Sequence, residues 1–289
     1  MVLTVQQQTS VFQLILALFN TAPGAVNLTI LGTRLQNGQS LASVAQSLAQ
    51  SALFFDKQYH VRLSHTEFAS TFIHDLVGNR AAESDKNLVI DFITHKLTAG
   101  ATQNEMIAQV TGALTSVPFT DSSWGKASLH YQTHNVTRVV NHLLDSTFSP
   151  ANKSVVVDHM LAQMAADKTF GDMAVWAIDT VAGVDRDNVV WGNAAVLLDN
   201  RVAVAGYYSL DRAAHAIDRE TLQRILTQVT VDDRTIATAK AAIDNLLSDR
   251  SGFSLNMDAD FQLDEVLKIQ KSVLSSLPRK TVMPIEYII

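Results

Sequence analysis

The chain has 289 residues, 22 basic against 28 acidic side chains for a formal net charge of −6, no cysteine, and 47% hydrophobic residues. That hydrophobic fraction excludes a disordered chain, and the missing cysteine excludes a disulfide scaffold and a thiolate zinc protein. The acidic balance argues against duplex nucleic acid, which needs a basic face to displace counterions, and no run approaches the ~20 apolar residues of a membrane span.

The first apolar run, Val11–Phe19, has the length of a signal-peptide core, but the first basic residue is Arg34, so no positive segment precedes it. It reads instead as a helix, followed by a polar turn containing Pro23 and a second helix carrying Leu28, Leu31 and Leu35. Gly38 and Ser40 then end that helix and cap a third, with Leu41, Val44, Leu48 and Ala52 on one side. The same order returns twice. Phe68–Leu76 precedes a helix with Leu88, Phe92 and Leu97, then Gly100 and Thr102, then Met106, Val110 and Leu114. Val136–Leu144 precedes, after Pro150, a helix with Val156, Met160 and Met164, then Asp167 and Thr169, then Met173, Trp176 and Val181. The three junctions are 62 and 67 residues apart. Thr102 with Glu105 forms a capping-box pair, and Trp124-Gly125-Lys126-Ala127 is echoed 67 residues later by Trp191-Gly192-Asn193-Ala194.

No two-residue alternation bounded by Asn-Gly or Asp-Gly turns is sustained, so the expected class is all-α. The expected architecture is about three repeated helical units packed into one elongated or compact array, plus a short C-terminal helical segment. The units are placed at about 10–67, 68–135 and 136–212 within a repeat region 1–212. Closing helices follow over 213–250, one capped by Asp218 and one over Asp232–Leu247. A polar break at Ser248–Ser254 sets off residues 251–289: an acidic loop, a short helix (Val266–Leu277) and a tail.

Chemistry is sparse in this pattern. Asn256, Asp258 and Asp260 place oxygens on alternate positions as the first half of a calcium loop does, and Asp264 and Glu265 are candidates for further oxygens. However, Phe261 stands where such a loop wants glycine, and the alternative is an acidic helix N-terminus. Asp185 and Asp187 are a second candidate pair for Ca2+, the one cofactor the sequence suggests. His130 and His134 share zinc-site spacing, with His142 two turns further on, yet H-E-x-x-H is absent, as are the G-x-S-x-G, phosphate-loop and dinucleotide motifs. No catalytic centre is therefore expected, and a histidine-metal hydrolase is the least favoured reading. Trp124, Trp191, Tyr207 and Tyr208 either stack on a sugar or pack one unit on the next.

Three turns resemble the Arg-Ala-Pro-Asp-x-x-Gly-Leu turns of a helical module of unknown function found in bacterial surface-layer and type I-secreted proteins. They are Thr21-Ala22-Pro23-Gly24 with Asn27-Leu28, Arg80-Ala81-Ala82-Glu83 with Asn87-Leu88, and Ser149-Pro150-Ala151-Asn152 with Val155. Leu197–Asp211 looks like the Asn-Lys-Val-x-Val-Ala-x-Tyr-Tyr segment that closes such modules, and Val229–Asp244 is similar to the helix that follows it; the resemblance covers about residues 10–248. It implies an extracellular, outer-membrane-associated role without catalysis: binding lipopolysaccharide or another surface glycan, or self-assembling into a homo-oligomer or lattice. It also implies the type I secretion machinery as a partner, and Glu286-Tyr287-Ile288-Ile289 is similar to the terminus of many type I substrates. No G-G-x-G-x-D calcium repeat is present, which departs from surface-layer relatives. The rival reading is an intracellular helical scaffold that docks partner proteins.

Overall fold

The computed structural model describes residues 3–55, 57, 59, 62–144, 146, 148–215 and 217–250. Among them every regular element is helical, as the missing strand periodicity predicts. In chain order the first helices are α1 (Val5–Phe19), α2 (Gly24–Gln36), α3 (Leu41–Ala49), α4 (Ala52–Phe55), α5 (His65–Val77), α6 (Glu83–Thr98) and α7 (Gln103–Thr115). There follow α8 (Gly125–Leu143), α9 (Pro150–Ala165), α10 (Phe170–Ala182), α11 (Gly192–Gly206), a π-helical turn (Tyr207–Asp211), α12 (Arg219–Thr227) and α13 (Arg234–Arg250). No single helix among the described residues is long and apolar enough to cross a membrane.

Helix starts follow from short polar side chains that satisfy otherwise unbonded first-turn N–H groups. Thr4 with Gln7, Ser64 with Glu67, Thr102 with Glu105 and Thr169 with Asp172 each form a reciprocal capping box. Ser149 caps α9 ahead of Pro150, and Asp218 caps α12 by accepting the Thr221 N–H at 2.8 Å.

The three helix–turn–helix junctions share one bonding pattern. At the first, the N–H groups of Gly38 and Gln39 donate back to the carbonyls of Leu35 and Arg34. At the second, Gly100 and Ala101 donate to Leu97 and Lys96; at the third, Asp167 and Lys168 donate to Met164 and Gln163. The turning residue is left-handed in each, with φ of 86°, 99° and 69°. Glycine takes that region without a Cβ penalty, and Asp is among the few residues that tolerate it. Ser40, Thr102 and Thr169 then accept the N–H groups of Ser43, Glu105 and Asp172 to start α3, α7 and α10.

The two tryptophan–glycine segments also share a construction. Asp121 accepts the N–H groups of Ser123 and Trp124 through Oδ1, and Asn188 accepts those of Val190 and Trp191 in the same way. A Cβ at Gly125 would stand 2.4 Å from the Phe119 carbonyl oxygen, and one at Gly192 would stand 2.2 Å from that of Arg186. The chain closes too tightly on itself at these helix starts for any side chain.

The described residues divide into two compact units, one of residues 3–46 and 136–250, the other of 47–135. Residues 10–46 thus group with 136–212, not with 47–67. In the first unit α1 packs against α2, α10 and α11, and α11 in turn against α13. Val11, Phe12 and every residue from Leu14 to Phe19 are buried, which gives the signal-like run a place in the core. The second unit is built on α5 and α6, around Phe68, Phe72, Ile73, Ile93 and Met106. Phe55 meets Phe72 edge-on at 5.3 Å, and Tyr59 meets Phe68 likewise at 5.2 Å.

Two boundaries differ from the sequence expectation. The expected helix at Val136–Leu144 starts at Gly125, because Lys126–Asn135 hides its inward face among polar residues. Ser128 and Gln132 are buried there and donate to the Val117 and Thr115 carbonyls at 2.8 and 3.3 Å. The polar break expected from Ser248 is not present at its first residues: α13 runs through Ser248 to Arg250, and the Ser248 hydroxyl donates to the Asp244 carbonyl at 2.8 Å. A helical serine loses little when it can bond one turn back.

Candidate functional site

The segment Leu197–Asp211 is placed by the end of α11 and the π-helical turn. Tyr208 is 1% exposed, and its Oη accepts the Ile217 N–H at 3.1 Å. The next residue, Ser209, accepts the Gly24 N–H at 3.1 Å, so the turn also holds the start of α2. Buried in this way, Tyr208 has no open ring face for a sugar. The expectation of a glycan contact there gives way to an anchoring role.

Tyr207 is half-buried and belongs to a polar cluster that sequence patterning did not single out. Its hydroxyl donates to Asp244 at 2.7 Å, and the same carboxylate receives the Arg212 guanidinium from Nε and Nη2 at 2.7 Å. Arg212 and Lys240 both lie near the Tyr207 ring, at 5.0 and 4.9 Å from its centroid. Hydrogen bonds from Arg212 and then Tyr207 hold the Asp244 carboxyl below the usual carboxylate range. Burial, followed by the bond to Asp244, raises the Tyr207 phenol. A carboxylate so fully bonded is a poor base; it clasps α13 to the π-helical turn. The only sequence signal was the 37-residue separation of an Asp from a Tyr, which no helical or strand period encodes.

Trp124 is 6% exposed, which likewise closes it to stacking on a large glycan. Trp191 is half-buried and lies parallel to Phe148 at 5.4 Å. Each indole borders an apolar cavity. In the first unit a cavity of about 160 Å3 opens among α8, α9, α10 and the start of α11, with Trp176 and Trp191 in its wall. The His159 ring lies against Trp176, tilted by 34° with the ring centroids 4.6 Å apart. In the second unit a cavity of about 40 Å3 lies among α5, α6, α7 and Trp124.

Asp185 and Asp187 are exposed, and the Asp185 carboxylate accepts the Asp187 N–H at 3.0 Å instead of converging with it. Arg186 between them pairs with Asp199 at 2.8 Å. His130 and His134 are exposed on α8, and burial followed by the Arg80 charge lowers the His130 pKa. His142 turns inward and donates from Nδ1 to the Ala17 carbonyl at 2.8 Å, so these three do not assemble a zinc site. Among the described residues no three His, Asp or Glu side chains gather where they could hold one ion. Asn256, Asp258, Asp260, Asp264 and Glu265, and the terminal Glu286, Tyr287, Ile288 and Ile289, lie outside the described residues.

Comparison with protein-family models, with curated proteins and with solved structures finds no match to this chain.

Proposed function

We propose that this chain is a non-catalytic helical module of a bacterial cell surface, which binds lipopolysaccharide or a related glycan or assembles with its own copies. The supporting observation is the construction itself. One hydrogen-bonded junction is used three times and one capped Trp-Gly helix start twice, a local construction of the kind repeat proteins use. The proposed compartment rests on the resemblance of the turns and of Leu197–Asp211 to surface-layer and type I-secreted modules. Within this reading Ca2+ is a candidate bridge to a phosphate-bearing surface.

Surface proteolysis of intact cells expressing the chain tests the compartment. The chain is expected to be cleaved while a cytosolic marker is spared. Protection of the chain together with the marker favours the intracellular scaffold instead.

A further inference from the structure

The two apolar cavities stand in register. Leu143, Leu144, Val156, Ala177, Val181 and Trp191 line the first; Leu76, Val77, Val89, Val110, Leu114 and Trp124 line the second. Each residue of the first set lies 67 residues after its counterpart, the same interval that separates the two Trp-Gly helix starts. The recurrence ties the cavity to packing that the two helix sets share. All three tryptophans of the chain border these cavities.

Their volumes differ for a visible reason. Where the first cavity has Ala177 the second has Val110, and where the first has Val181 the second has the longer Leu114. These extra carbons narrow the second cavity, where Phe92 also stands in the wall, and the volumes are about 40 Å3 there against about 160 Å3 in the first. The first is close to the roughly 150 Å3 at which a dry, apolar protein cavity admits benzene. Its wall offers aliphatic groups and two indoles and almost no polar surface, so a sugar hydroxyl or a charge would enter unbonded at a cost.

We infer that these cavities are one ligand site built twice, open in the first unit to a neutral apolar ring of benzene size and closed in the second by Val110 and Leu114. The inference stands apart from the surface role proposed above and does not depend on it.

The test is thermal denaturation and tryptophan fluorescence of the purified full chain with and without benzene near saturation. Benzene is expected to raise the melting temperature and perturb Trp176 and Trp191 emission, because a ligand bound to the folded state alone stabilises it. Ala177→Val, which installs the residue native to the other copy, is expected to weaken binding at least tenfold and erase the rise. If that variant folds poorly, Val181→Leu carries the same expectation. Val110→Ala is expected to enlarge the rise by opening the second cavity. No benzene effect on the parent chain, an undiminished effect in Ala177→Val or Val181→Leu, or no gain in Val110→Ala would overturn the inference.

Discussion

Two glycines and one arginine carry the sharpest consequences of single side chains. Gly192→Ala and Gly125→Ala would each drive a Cβ into a backbone carbonyl oxygen, at 2.2 and 2.4 Å. Backbone must move in response, and the expected loss is about 1–3 kcal/mol in a denaturant titration. Gly112→Ala is the control: a Cβ there meets Gln50 at an ordinary 3.7 Å inside α7, so helix propensity is expected to add about 0.5–1 kcal/mol. Equal effects at all three positions would contradict the close-approach account. Arg201 is 6% exposed on α11 and donates to the His142 carbonyl at 2.8 Å, near the C-terminal end of α8. Arg201→Met strands that acceptor in the interior and is expected to cost about 1–3 kcal/mol by the same titration.

At the scale of elements, caps and clasps set a pH dependence. The Asp172 carboxylate accepts the Thr169 hydroxyl and N–H, and these bonds hold it below the usual range, as Arg212 and Tyr207 do for Asp244. A carboxyl whose folded pKa is depressed contributes stability that is complete above its unfolded value of about 4 and is lost as pH falls through the folded value. Melting temperature is therefore expected to drop between pH 5 and 3, with a shallower drop in Asp244→Asn, which has no charge left to lose. A flat profile down to pH 3 in the parent chain would contradict this.

The elements also show what was legible in the sequence. The junctions could be read because Gly or Asp followed two residues later by Ser or Thr is local chemistry, complete within a few residues. The start of α8 could not, because its inward face is polar and bonds to the Val117 and Thr115 carbonyls of a preceding segment. The Tyr207–Arg212–Asp244 clasp was hidden for the same reason: its partners come from different elements. Tyr208 reads in the sequence as either a sugar contact or a packing anchor, and no local pattern encodes the bond that its hydroxyl accepts from Ile217 inside the fold.

At the scale of the molecule, the repeat is a pattern of local construction, while the compact units follow tertiary packing. Residues 3–46 share a unit with 136–250, joined by contacts such as α1 on α10 and α11. Because residues 3–46 share a compact unit with 136–250, cutting the chain at the sequence repeats is expected to break that unit. A fragment of residues 68–135 is expected to melt at lower temperature and less cooperatively than the full chain by circular dichroism. The central claim is that the whole chain binds a surface glycan or itself. It is tested most directly by measuring how much purified chain is retained on cells with and without O-antigen, alongside its sedimentation. The account predicts retention that depends on O-antigen, or a defined oligomer in solution. Equal retention on both cell types by a chain that sediments strictly as a monomer would contradict it.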